Sequence, residues 1–106
     1  ETAELNAKLA YPNLKSKGGA TATVVLLTPT QIFCANAGDS RTVLSQTGEE
    51  AVALSIDHKP TNEEEEKRIE GAGGIVRNKR VMGELGLSRA FGDFEYKSKE
   101  GLDAKQ

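Results

Sequence analysis

Between Ala20 and Leu54 the chain reads as four short strand-like runs separated by turn signals, a spacing that predicts an antiparallel meander. The first run, Ala20–Leu27 (ATATVVLL), is small and β-branched, then apolar, and is bounded by Gly19 and Pro29. Gln31–Ala37 (QIFCANA) follows the turn Thr28-Pro29-Thr30. Gly38-Asp39-Ser40 is the next turn signal. Arg41–Gln46 then alternates, with Val43 on one face and Thr42 and Leu44 on the other. Thr47-Gly48 turns again, and Glu50–Leu54 alternates around Val52 and Leu54. Ile32, Phe33 and Cys34 are consecutive, which predicts a second strand buried on both faces.

Helices flank this region. Glu1–Tyr11 is helix-compatible, with Ala3, Ala7 and Ala10 on one face, and Pro12 ends it. After the polar connection Asp57-His58-Lys59-Pro60, Asn62–Glu70 reads as a second helix. Asn62 is its expected N-cap with Glu65 completing a capping box; Thr61 with Glu64 is the alternative register. Its acids come first and Lys67 and Arg68 later, as the helix dipole favours, and Gly71, Gly73 and Gly74 end it. Ile75–Arg77 and Arg80–Met82 predict a small hairpin about Asn78-Lys79. Ser88–Asp93 predicts a short helix capped by Ser88, and Gly101–Gln106 a frayed tail. The fold class is therefore α+β, an antiparallel β-meander with flanking helices. It divides into helix and loop (1–16), meander (17–56), helix and hairpin (57–87), and short helix with tail (88–106).

With 106 residues the chain makes one small domain, and with 37% hydrophobic residues and no Trp its core must be Val, Leu, Ile and Ala. Fourteen Lys and Arg against 16 Asp and Glu give a net charge of −2, which excludes a broad basic surface for nucleic acid. No apolar run approaches the ~20 residues of a membrane span, and the acidic start Glu1-Thr2-Ala3-Glu4 does not read as a signal peptide. Neither nucleic acid nor membrane is an expected partner. One Cys excludes an internal disulfide, and one Cys with one His excludes a Cys/His zinc site. A reducing compartment, cytoplasmic or nuclear, is the expectation.

The candidate chemistry centres on Asp39. An acid directly after an apolar strand, at a glycine turn, is held by the sheet yet meets solvent, which suits a hard metal ion. The competing reading is a plain turn in which Asp39 bonds its own backbone. Gly18-Gly19-Ala20-Thr21 lacks the spacing and Lys of a phosphate loop and precedes a strand rather than a helix. His58 has no partner for a nucleophilic triad and reads as a structural hydrogen-bonder at the end of the strand system. Cys34 reads as a small core hydrophobe. Glu63–Glu66 reads as a solvated helix start, since consecutive helix residues point in different directions.

Six motifs occur in one order. They are Gly18-Gly19-Ala20-Thr21-Ala22, Ala35-Asn36-Ala37-Gly38-Asp39-Ser40-Arg41, Asp57-His58-Lys59-Pro60, Arg68-Ile69 with Ala72-Gly73-Gly74, Arg80-Val81 with Gly83, and Leu87-Ser88-Arg89-Ala90-Phe91-Gly92-Asp93. From Lys17 to about Lys97 this series resembles the middle of a type 2C (PPM) metal-dependent protein serine/threonine phosphatase. The resemblance implies a β-sandwich of two antiparallel sheets flanked by helices, of which this chain is a partial piece. It implies hydrolysis of phosphoserine and phosphothreonine in protein substrates by a water bridging two Mg²⁺ or Mn²⁺ ions. It implies that Asp39 lies at the metal centre, at an additional, weaker metal position, with Thr21 behind it. Arg41 and Arg89 match motif arginines, structural first and substrate-proximal second. Residues from Lys59 to about Leu87 match the flap beside the active site, which influences substrate and regulator choice.

The family's Asp-Gly-His-Gly-Gly, Asp-Gly and Asp-Asn ligand motifs are absent, as is its upstream phosphate-holding arginine. One carboxylate cannot hold a binuclear centre. The chain is therefore expected to be an inactive fragment of an active parent. The alternatives are a catalytically dead phosphatase-like fold used for binding, or an orphan α+β domain that self-associates. Strand edges and an apolar face left open at Val25, Leu27, Ile32 and Val43 predict a homodimer or higher oligomer, with domain exchange one route to it.

Overall fold

The structure, a computed structural model, describes residues 18–97. The helix expected at Glu1–Tyr11 and the tail at Gly101–Gln106 lie outside the described residues. The first strand-like run divides at Thr21 into β1 (Gly19–Ala20) and β2 (Ala22–Leu27). The chain turns back as β3 (Ile32–Ala37), which pairs antiparallel with β2 from Ala22↔Ala37 to Leu27↔Ile32. Thr28 closes the turn. Its amide donates to the Gln31 carbonyl at 2.9 Å, and its hydroxyl accepts the Gln31 amide at 3.0 Å. Pro29, with φ fixed by its ring, suits that bend.

The next hairpin joins β4 (Val43–Leu44) to β5 (Val52–Ala53), and the Leu54 amide extends the ladder to the Thr42 carbonyl at 2.8 Å. The antiparallel α+β expectation holds. The four expected strands, however, pair as two separate hairpins rather than in one continuous ladder. The backbone groups that would carry the ladder past β3 are already taken. The Gly38 amide donates to His58 Nδ1 at 3.0 Å, and the Gly38 carbonyl accepts from the His58 amide at 2.9 Å and Asn36 Nδ2 at 3.0 Å. Beyond the turn, Ser40 and Thr42 pair by their hydroxyls with Thr21 and Thr23, so residues 40–42 run beside 21–23 in the same direction.

A strand buried on both faces was expected at Ile32–Cys34; Ile32 and Phe33 are instead exposed and Cys34 is half-buried. Both faces of the β2–β3 hairpin are apolar, and no described element covers either. Among the large hydrophobic side chains described, Ile69 alone is buried. The radius of gyration is 16.4 Å, against the ~13 Å of a compact chain of ~100 residues.

α1 (Glu63–Gly71) follows, starting after Asn62 and ending where the Gly73 and Gly74 amides reach back to Glu70 and Ile69. Asn62 holds the N-cap position, but its side chain does not cap the helix; Nδ2 donates to the Asp57 carbonyl at 2.8 Å. Glu65 turns inward, so the expected capping box does not form. β6 (Val76–Arg77) and β7 (Arg80–Val81) make the hairpin expected about Asn78-Lys79, whose φ values of 54° and 64° define a tight left-handed turn. The short helix expected after Ser88 is replaced by β8 (Phe91–Gly92), which pairs with β1, and a 3₁₀ turn at Phe94–Tyr96. Gly92 and Asp93 both hold positive φ, which no continuous helix tolerates.

Candidate functional site

The turn after β3 is built on Gly38. It is buried with φ +110°, and a Cβ there would lie 2.3 Å from Thr21 Cγ2. Only glycine fits both the left-handed backbone and the approach of Thr21. The imidazole of His58 accepts the Gly38 amide, the structural part expected of it. Asn36 clamps the same turn by donating to both the Gly38 and Ile56 carbonyls, each at 3.0 Å. The turn thus fixes Asp39 without using the Asp39 carboxylate.

That carboxylate is 29% exposed and forms an ion pair with Lys59. Thr21 bonds the hydroxyl of Ser40, the residue after Asp39, at 2.6 Å. Thr21 and Asp39 are therefore brought to one end of the hairpin, with Lys59 as the counter-charge. Arg41 forks onto Asp57, with Nε to Oδ1 at 2.9 Å and Nη2 to Oδ2 at 2.8 Å. Those bonds lower the Asp57 carboxyl below its ordinary range.

Arg89 lies elsewhere, against α1. Its Nη2 donates to Glu65 Oε1 at 2.7 Å and its Nε to both carboxylate oxygens at 3.0 Å. Arg68 joins them, donating from Nη2 to Glu65 Oε2 at 2.9 Å and to the Ser88 carbonyl at 2.6 Å. Burial alone would push the Glu65 carboxyl up; the hydrogen bonds from Arg89 and then Arg68 outweigh it and bring it down to about 2. Arg41 and Arg89 are both engaged by carboxylates of this chain, and they do not converge on Asp39.

The sequence reads Glu65 as part of a solvated helix start; the structure makes it the buried anchor of two arginines. The signal was available. Ile69 marks the inner face of α1, and a residue four positions earlier shares that face. Asp57 and Lys59 belong to a stretch whose sequence predicts only a polar connection, and nothing in it names their partners.

The described residues do not by themselves fit a binuclear metal centre. None of them form a group of three or more His, Cys, Asp or Glu suited to an ion. Asp39 offers one carboxylate.

The family model for protein phosphatase 2C matches residues 1–106. The chain belongs to the protein phosphatase 2C family. It is 57% identical over 88 residues to "Protein phosphatase 2C homolog 3" of Schizosaccharomyces pombe, covering 83% of this chain and 21% of that protein. It is 50% identical over 99 residues to "Probable protein phosphatase 2C 3" of Paramecium tetraurelia, covering 93% of this chain and 33% of that protein. The chain therefore spans between about a fifth and a third of these two phosphatase 2C relatives. A crystal structure of a phosphatase from Toxoplasma gondii superposes with a TM-score of 0.55 at 20% identity, over 91% of this chain and 42% of that one. That likeness shows the fold: the paired strands and helix described here are a partial phosphatase 2C α+β architecture.

Proposed function

We propose that the protein to which this phosphatase 2C chain belongs is a metal-dependent phosphatase of phosphoserine and phosphothreonine in proteins. In this proposal the chain contributes the Asp39 end of the centre. The observation that carries it is the placement of Asp39. Asn36, Gly38 and His58 build a hydrogen-bonded turn that leaves the Asp39 carboxylate 29% exposed and paired with Lys59. A surface turn needs no such scaffold; a ligand held in place does. Mg²⁺ or Mn²⁺ would supply charge neutralisation and an acidified water in the complete protein, with its further ligands outside the described residues. Thr21 and Ser40 orient the turn, Lys59 holds the Asp39 carboxylate, and the Arg41–Asp57 fork ties the strand to the connection after β5.

The 106-residue chain alone is expected to be inactive with millimolar Mn²⁺. In the complete protein, Asp39→Asn should lower turnover of a phosphopeptide by about tenfold or more. Unchanged turnover in that variant, or turnover by the isolated chain that Asp39→Asn abolishes, would overturn the reading.

A second reading has its own support. The uncovered β2–β3 hairpin favours a phosphatase-like module that binds or self-associates, with a second copy of this chain as the proposed partner.

A further inference from the structure

Thr61 stands exposed in the turn that leads into α1. Its hydroxyl makes no hydrogen bond among the described residues. By contrast, Thr21 bonds Ser40, Thr23 bonds Thr42, Ser55 accepts the Thr42 amide and Thr28 closes its own turn. The acids of α1 follow Thr61 directly. Glu63, two positions on, has a side chain 82% exposed. Glu64, three positions on, is exposed and forms no ion pair among the described residues. Thr61 is thus a free, accessible hydroxyl with open carboxylates on its C-terminal side.

The same residue lines a cleft of about 440 Å³ between the start of α1 and the β6–β7 hairpin, together with Lys59, Asn78, Lys79, Arg80 and Gly86. Three of the lining residues are cations and none is acidic. Lys59 pairs with Asp39. Arg80 donates Nη1 to the Glu84 carbonyl at 2.6 Å, a neutral acceptor that leaves its charge uncompensated. Lys79 forms no ion pair among the described residues. Two positive charges of the hairpin therefore share a cleft with a neutral hydroxyl. Two of the nearby acids of α1 are already neutralised, Glu63 by Lys67 and Glu65 by Arg68 and Arg89.

We propose that Thr61 is itself a phosphorylation site for an acid-directed protein kinase, and that Lys79 and Arg80 hold the phosphate once it is attached. In the transfer, Thr61 Oγ1 bonds to the γ-phosphorus of a nucleoside triphosphate as the bond from that phosphorus to the β-phosphate oxygen breaks. The nucleoside diphosphate leaves with the electron pair, and the hydroxyl proton passes to a base of the kinase. Glu63 and Glu64 supply the charge pattern that such a kinase reads with basic groups of its own. The product carries a charge of about −2 at neutral pH, which the two unbalanced cations match. The arginine can give paired hydrogen bonds to phosphate oxygens. Phosphorylation would thereby tie the turn before α1 to the β6–β7 hairpin. Thr47 is the internal comparison: it too is exposed and precedes acids, Glu49 and Glu50, but it does not line this cleft. The inference concerns modification of this chain and stands apart from the phosphatase reading.

The test treats the full 106-residue chain with an acid-directed kinase of the casein-kinase type and ATP. Mass spectrometry locates the phosphate, and amide NMR compares the chain before and after. Thr61 should be modified at least tenfold faster than Thr47, and Glu64→Gln should slow the reaction at Thr61 about fivefold. Phosphorylation should shift the Lys79 and Arg80 signals across the cleft. In the Lys79→Gln/Arg80→Gln variant the kinase should still modify Thr61, but the hairpin signals should no longer respond. The unmodified spectra of each variant show that the Val76–Val81 hairpin is kept. No phosphate at Thr61, equal rates at Thr61 and Thr47, or hairpin shifts that persist in the Lys79→Gln/Arg80→Gln variant would each overturn the proposal. None of these readouts involves turnover by the chain, so failure here leaves the Asp39 reading standing, and failure of Asp39→Asn to affect turnover leaves this site standing.

Discussion

Two regions among the described residues are held by different physics. Around Gly38, His58 and Glu65, side chains tie loops to strands and helix: Asn36 to Gly38 and Ile56, Arg41 to Asp57, Arg68 and Arg89 to Glu65. The β2–β3 hairpin has ideal strand composition and a six-residue ladder, yet Leu27 is 68% exposed and Phe33 50% exposed. A polar network completes itself once its partners are in place, whatever else surrounds it. An apolar sheet that is hydrophobic on both faces gains its stability only from layers packed on it, about 25 cal/mol per Å² covered. The polar end is therefore the self-sufficient part of the chain, and the hairpin is the part that needs a neighbour.

The largest expected effect comes from opening the polar end at Glu65. Glu65→Gln removes the buried carboxylate that Arg68 and Arg89 share, which should cost about 3 kcal/mol. Acid should do the same to the unmutated chain. The Glu65 carboxyl sits at about 2 when folded against 4.5 in the unfolded state, so its contribution is complete above 4.5 and is lost as pH falls from 4.5 towards about 2. The shift corresponds to about 3 kcal/mol. By contrast, Lys67→Ala removes the exposed partner of Glu63 on the opposite face of the same helix and should cost under ~0.5 kcal/mol. Denaturant midpoints at pH 7 and pH 3 separate these outcomes. Equal effects from Glu65→Gln and Lys67→Ala, or an acid loss undiminished in Glu65→Gln, would break the contrast between the two regions.

The legibility of the sequence follows the same divide. Strand alternation, the Thr28-Pro29 turn, the Asn78-Lys79 hairpin and the end of α1 at its glycines are local, and each was readable because its cause lies within a few residues. What was missed depends on partners about twenty positions away. The meander was expected to continue past Gly38, but His58 and Asn36 claim its backbone groups. Ser88–Asp93 was expected to be helical, but Arg89 is drawn to Glu65 and Gly92-Asp93 turn left-handed beside β1. Burial of β3 was expected from its apolar run, a statement about a layer that the described residues do not supply. At the site, Asp39 and its glycine turn were visible as a pattern. The counter-charge Lys59 and the Arg41–Asp57 fork were not, because ion pairing across a connection leaves no periodic trace.

Gly38→Ala should have an intermediate effect. The substitution forces a side chain into φ +110° and places its Cβ 2.3 Å from Thr21 Cγ2. The combined strain should cost about 2 kcal/mol, a fall of roughly 10 °C in melting temperature for a domain of this size. The damage should be local. The His58 imidazole resonances and those of Thr21 and Ser40 should move, while the far end of the hairpin, Leu27 and Ile32, should not. If Leu27 and Ile32 shift as much as Ser40, the turn is not the independent scaffold for Asp39 described here.

A small effect on stability, and the sharpest test of the hairpin, comes from its own surface. Leu26 and Phe33 are cross-strand partners on one face and are both at least half exposed. Replacing both with Thr keeps β-propensity and the ladder, and removes a pair interaction of about 0.2–1 kcal/mol. Unfolding of the isolated chain should therefore shift by no more than ~1 kcal/mol. Self-association should respond far more. If a second copy covers this face, it buries both side chains on each partner, and light scattering at micromolar concentration should report an oligomer for the unmodified chain and a monomer for the Leu26→Thr/Phe33→Thr variant. The Glu65→Gln variant should behave in the opposite way. That variant should lose stability without losing association per folded molecule, whereas the threonine pair should lose association without losing stability. A monomeric unmodified chain would end the self-association reading. Loss of several kcal/mol from the threonine pair would mean that the hairpin is already packed within the monomer, and the division between a self-sufficient end and a dependent one would fall with it.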